Sequence, residues 1–243
     1  MANRLLPFRQ YDENDVINLF ANTVSDASPT TNGNGSAGVF VSINAGNFSN
    51  DPVTYGADFG PSYNHTLNAY PEVPLKVAAA AVGAKAGQVI GVTLKQTVEA
   101  DENGEKLIYN PVKKDELQAV LSGQAVPIAT RGIFTLTSDA VDGSTYPSTD
   151  STQFPTPGQA CVISPVTAGK VSGISFDSLQ SAYSADLDSF VVTGVNHNAG
   201  SDTNVFYSTA NVIGTWLGTG TRDSVGPVTD VHVGNYAVLK LNL

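Results

Sequence analysis

The residues able to do chemistry are few and scattered. The chain of 243 residues carries three histidines, His65, His197 and His232, and one cysteine, Cys161. A nucleophilic triad needs a nucleophile, a base and an orienting group in one pocket, and a structural zinc needs clustered Cys and His. These residues form no such spacing. His65 lies in a Tyr/Asn-rich stretch, His197 in an Asn-His-Asn turn, and His232 between two valines. No G-x-S-x-G elbow, P-loop or H-E-x-x-H helix occurs. Carboxylates pair at Asp186/Asp188 and Asp101/Glu102, in polar stretches where solvation is their ordinary state. The second pair falls short of calcium-loop spacing. Gly33, Gly35 and Gly38 spell G-x-G-x-x-G, but dinucleotide binding needs a strand before it and a helix after it. Here a Ser/Thr/Pro run precedes and a strand-like 39–43 follows, so the glycines read as an open loop. Cys161 has no partner for an internal disulfide and sits in an apolar run, as a small buried hydrophobe does. The expectation is a protein with no catalytic residues, no cofactor and no metal.

The elements that remain are short strands. Gly87-Gln88, Gly123-Gln124 and Gly158-Gln159 each open a run rich in Val, Ile and Thr. Such residues fit a pleated, half-buried surface. A later run, Ile213-Gly214-Thr215-Trp216-Leu217, echoes Ile90-Gly91-Val92-Thr93-Leu94. Further strands are expected over 125–129, 132–137, 160–164, 170–176, 190–194, 204–209, 231–233 and 236–243. Pro127 suggests an edge or a strand start. Asn103-Gly104 marks a hairpin tip, and Pro111 can open a one- or two-turn helix. Asp12 is placed to cap a helix of about ten residues whose stripe is Val16, Ile17, Leu19 and Phe20. The division expected is an N-terminal arm and linker over 1–38, an extended loop region over 39–74, and a β core over 75–243.

Composition agrees with a turn-rich β protein. Charged residues make up 14%, against about 25% in ordinary soluble chains, and Gly, Ser, Thr and Asn take their place. The net charge of −10 leaves nothing with which to neutralise phosphates, so nucleic acid is not expected as a partner. No run approaches the ~20 apolar residues that span a bilayer, and the N-terminus lacks the apolar core of a signal peptide. The expectation is a protein made and used without secretion, with no membrane partner.

The order of the strand motifs resembles the capsid decoration (cement) proteins of tailed bacteriophages. The resemblance runs through 89–94, 123–136, 157–163, Gly169-Lys170-Val171-Ser172-Gly173, 213–217 and Ala237-Val238-Leu239-Lys240-Leu241-Asn242-Leu243. The opening block, from Arg4 through Tyr11-Asp12-Glu13-Asn14-Asp15 to Phe20, is similar to the start of head proteins of marine and cyanobacterial phages. The resemblance implies an all-β fold: a β-tulip-like barrel or sandwich of short antiparallel strands, with an extended N-terminal arm carrying the short helix. It implies a place on the outer surface of the virion capsid, after synthesis in the host cytoplasm. The partners implied are the major capsid protein and the chain itself, as a homo-oligomer with the trimer favoured over the dimer. The docking set is then Arg4, Leu5, Leu6, Phe8, Tyr11, Val16, Ile17, Leu19 and Phe20. The alternative is a head-fibre, tail or baseplate module that adheres to host-surface glycans, with Tyr55, Phe59, Tyr63 and Tyr70 stacking on sugars.

Overall fold

The computed structural model describes residues 4–22, 35–44, 75–101, 103–121, 124–142, 155–176, 209–222 and 234–243. Within them the β-branched runs form strands β1 (Leu5–Gln10), β2 (Val16–Ala21), β3 (Phe40–Asn44), β4 (Leu75–Ala79), β5 (Val89–Thr93), β6 (Gln96–Thr97), β7 (Ala119–Val120), β8 (Ala125–Ala129), β9 (Arg131–Thr137), β10 (Ala160–Ile163), β11 (Val171–Ile174), β12 (Val212–Arg222) and β13 (Gly234–Asn242). One short helix, α1 (Pro111–Glu116), accompanies them. The expectation of an all-β fold built on antiparallel strands holds.

Two layers divide the strands. One is a six-stranded antiparallel sheet in the order β1-β9-β13-β12-β10-β11. The other is a ring, β2-β4-β3-β5-β8, in which each strand pairs with two neighbours. The ring's β2–β4 seam is a short parallel contact, Phe20↔Leu75 and Ala21↔Lys76. One apolar cluster joins the layers: Phe40, Val92 and Ala129 of the ring pack with Phe134, Trp216, Leu239 and Leu241 of the sheet. The ring holds a second cluster of Phe20, Val39, Val41, Val77, Val126 and Ile128. Burying a side chain of this size contributes about 1.5–3 kcal/mol, so the shared cluster ties the two layers together.

The three Gly-Gln pairs share one local device. Gln88 Oε1 accepts the Lys85 N–H at 3.0 Å, while the Gln88 N–H donates to the Lys85 carbonyl at 2.9 Å. Gln124 does the same with Leu121 (2.9 and 3.0 Å), and Gln159 with Thr156 (3.0 and 3.2 Å). Each glutamine closes a tight turn with its own side chain. The next residue starts β5, β8 or β10. The Ile-Gly echo also has a cause. A Cβ on Gly91 would collide with the carbonyl oxygen of Ala129, and one on Gly214 with that of Lys240. Both glycines allow a neighbouring backbone to come close.

Between β5 and β8, strands that pair with each other, the chain makes an excursion with its own small core of Val98, Leu107, Ala119 and Leu121. Its hairpin tip is where Asn103-Gly104 predicts it. Asp101 Oδ1 accepts the N–H groups of Asn103 and Glu105, both at 2.9 Å, and Gly104 takes φ +82. The helix opened by Pro111 is capped by Asn110, whose Oδ1 accepts the Lys113 N–H at 3.1 Å.

Three expectations need correction. Val16, Ile17, Leu19 and Phe20 do not lie on a helix. Asp12 caps only a single 3-10 turn, Glu13–Asp15, through its Oδ1 and the Asn14 N–H, and the residues after it are β2. Apolar positions spaced 16, 17, 19, 20 fit either period. Their β-branched and aromatic character, with β8 alongside, decides for strand. The N-terminal residues are also not a separate arm: β1 is laid on β9, and β2 and β3 complete the ring. Pro127 is not on an edge, because β8 has β2 on one side and β5 on the other. The strands expected over 190–194, 204–209 (apart from Thr209) and 231–233 lie outside the described residues, as does 45–74.

Replacing each turn glutamine by Ala tests the shared device. Leu121 is fully buried, so its N–H loses its acceptor with least access to water. Gln124→Ala should cost about 1–3 kcal/mol, and Gln88→Ala or Gln159→Ala about 0.5–1.5 kcal/mol. Urea denaturation reads the difference. Equal and negligible losses at all three positions would contradict the role given to the side-chain bonds.

Candidate functional site

The N-terminal set splits in two. Leu5, Leu6 and Phe20 are buried in the protein's own core, and Val16 and Ile17 are half-buried against it. Phe8 is 68% exposed and Leu19 67%. Tyr11 is partly exposed and stacks on Phe134, with ring centroids 6.0 Å apart and planes at 17°. The structure therefore reduces the apolar docking set to Phe8, Leu19 and the open face of Tyr11. Phe8 sits on the six-stranded sheet and Leu19 on the ring.

A proline lies at the register break beside each of these residues. Pro7 lies within β1 and gives the ladder no N–H. There Leu5 pairs with Leu136 and Arg9 with Phe134, so Leu6, Pro7 and Phe8 stand opposite the single residue Thr135. Pro127 lies within β8. Opposite it Ile17 pairs with Ile128 and Phe20 with Val126, so Asn18 and Leu19 face one residue. These are β-bulges, which bend the strand and re-aim a side chain. Without its bulge the alternation of β2 would carry Leu19 inward and Phe20 outward. A further register break follows Trp216↔Leu239, where Trp216 is in the core and Leu217 is exposed. Pro127 was the signal in the sequence, and its correct reading was a bulge in the partner strand.

Arg4 is the anomaly of the set. It is buried, and neither Nε nor Nη1 of its guanidinium has a hydrogen-bond partner. Burial pushes its pKa down, while the charge of Asp139 works the other way. Its backbone is well held, since the Arg4 carbonyl accepts the Thr137 N–H at 3.0 Å. A buried charge without hydrogen bonds is among the more costly features a fold can carry.

Two of the candidate chemical groups, Cys161 and Asp101, lie among the described residues. Cys161 is fully buried, and burial raises its thiol pKa well above the ordinary value. Asp101 accepts hydrogen bonds from the backbone of its own turn. Among the described residues no group of three or more His, Cys, Asp and Glu is placed to hold a metal ion, and no helix is long and apolar enough to cross a membrane. His65, His197, His232, Asp186, Asp188, Glu102 and the aromatic set Tyr55, Phe59, Tyr63 and Tyr70 lie outside the described residues. Exposed apolar residues that sequence reasoning did not single out include Ile43 on β3, Tyr109 and Val112 on the excursion, and Val82, Val166 and Phe176. Comparison with known proteins finds no matching family model, curated protein or solved structure.

Two outcomes follow. Arg4→Met, which keeps the buried stem and removes the charge, should raise stability by at least about 1 kcal/mol in urea denaturation. A loss of stability would mean that the guanidinium has a partner after all. The Cys161 thiol should resist an aromatic disulfide reagent in the native state and react on unfolding. Because its pKa is raised in the folded state, its contribution is intact below about pH 8.5 and fades as pH climbs through the raised value. Native reaction at the rate of a free thiol would contradict its burial.

Proposed function

We propose that this chain is a decoration (cement) subunit of a tailed-phage head. It binds the major capsid protein on the outer face of the shell, together with further copies of itself. The observation that carries this reading is the exposure of Phe8 and Leu19 beside the register breaks of β1 and β2, in a stretch whose Leu5, Leu6 and Phe20 are packed inward. Apolar side chains kept outward by backbone geometry suit contact with another subunit. The decoration-protein motifs support it too. Their blocks fall, in order, on β5, β8, β9, β10, β11, β12 and β13, the strands that make the shared core. A net charge of −10 suits a position away from packaged DNA. No observation on the described residues favours the glycan-adhesion reading.

Deleting the N-terminus would remove β1 and β2 from the two layers, so point substitutions are the usable test. Phe8→Asp combined with Leu19→Asp should leave stability within about 1 kcal/mol of the parent, because both side chains face water. The same pair should lower occupancy on shells stripped of the protein by at least about tenfold, read by quantitative gel analysis of sedimented particles. Full occupancy by the double variant would defeat the assignment.

A further inference from the structure

The pairing of β1 with β9 differs from the pairing on the other side of β9. β13 pairs with β9 without interruption from Tyr236↔Thr137 to Asn242↔Arg131. On the opposite side of β9, β1 is in register only at Leu5, Arg9 and Gln10, with the Pro7 bulge between. β1 is an edge strand, and its proline and bulge make its outer edge a poor template for adding another strand. Arg4, next to β1 in the chain, is buried, and its guanidinium Nε and Nη1 have no hydrogen-bond partner among the described residues. Detaching β1 hydrates that charge. It also strips water-avoiding cover from Leu5 and Leu6, both buried in the docked state. A detached β1 is therefore driven to dock again, and the surface that fits it in register and shape is the β9 edge of this same chain.

The hinge is in place. Residues 11–15 link β1 in the sheet to β2 in the ring. The far end is pinned, since the Asp15 carbonyl accepts both the Thr130 N–H at 2.8 Å and the Thr130 hydroxyl at 3.1 Å. The near end is held by the Tyr11–Phe134 stack alone among aromatic contacts. β1 can swing about this link while the ring stays intact. We propose that β1 is an exchangeable strap, loosened by the interrupted ladder at Pro7 and by the buried Arg4 beside it, that leaves its own β9 and pairs with β9 of a second copy of this chain. A swap of identical elements needs no new contact surface, since each copy regains the contacts it gives up. Exposed Phe8 and Tyr11 flank the link, where two crossing hinges would come together. The inference does not rest on the capsid reading and stands or falls apart from it.

Gln10 and Ile133 are register partners. Mixing a Gln10→Cys chain with an Ile133→Cys chain under mild oxidation should give a covalent heterodimer, because only β1 of one copy on β9 of the other brings these positions together. A single chain carrying both cysteines, studied when dilute, should link within itself and so confirm their reach. With Arg4→Met added to both chains, the heterodimer should form about tenfold more slowly. In the native chain, hydrogen exchange of the β1 amides should run well ahead of that of the β13 amides. Absence of the heterodimer while the double-cysteine chain links within itself overturns the proposal. So does an Arg4→Met rate that does not fall, and so do β1 amides as protected as those of β13.

Discussion

A proline inside a β ladder has no hydrogen to donate, and the strands around it must accommodate that gap. In this protein the accommodation is made twice, at Pro7 in β1 and at Pro127 opposite β2. At β2 one extra residue enters the ladder and the side-chain alternation slips, so that Phe20 turns inward and Leu19 outward. At β1 two extra residues enter, Leu5 and Leu6 are both buried, and the alternation is back in step at Phe8, which faces water. The same two bulges thus set the packing of the first strands and the apolar features of the surface. A regular ladder would have joined core and surface differently.

Around that constraint the body is stiff. The sheet and the ring share one cluster through Phe40, Phe134 and Trp216, and the Trp216 indole N–H donates to the Ser172 carbonyl at 3.4 Å inside it. Three glutamine-closed turns start β5, β8 and β10. The β11 edge of the sheet is covered, since Val171 exchanges backbone hydrogen bonds with Ala140 and Asp142, and Pro155 lies close over Gly173. β1, by contrast, is the edge with the interrupted ladder and the unsatisfied charge.

Much of the fold was legible because strand formation here is local. Val, Ile and Thr runs bounded by turn residues named β5, β8 through β13 and the hairpin at Asn103-Gly104. The Gly-Gln repeats and the Ile-Gly echo were visible as patterns, but their causes were not. One is a side-chain acceptor reaching back three residues, and the other is a carbonyl on a strand distant in sequence. The first 21 residues misled because spacing alone does not separate a helix from a bulged strand. Only the position of β8 and its proline does so, and that is a tertiary fact. For the same reason the docking set could be listed but not divided. Whether an apolar residue is buried or offered to a partner depended on a bulge set by a residue more than a hundred positions away.

A cryo-EM map of particles purified from the source culture tests the central claim most directly. The account predicts density for this β body on the outer surface of the shell, with Phe8 and Leu19 at contacts with neighbouring subunits. Particles that lack the protein, or a bound body whose Phe8 and Leu19 both face open solvent, would contradict it.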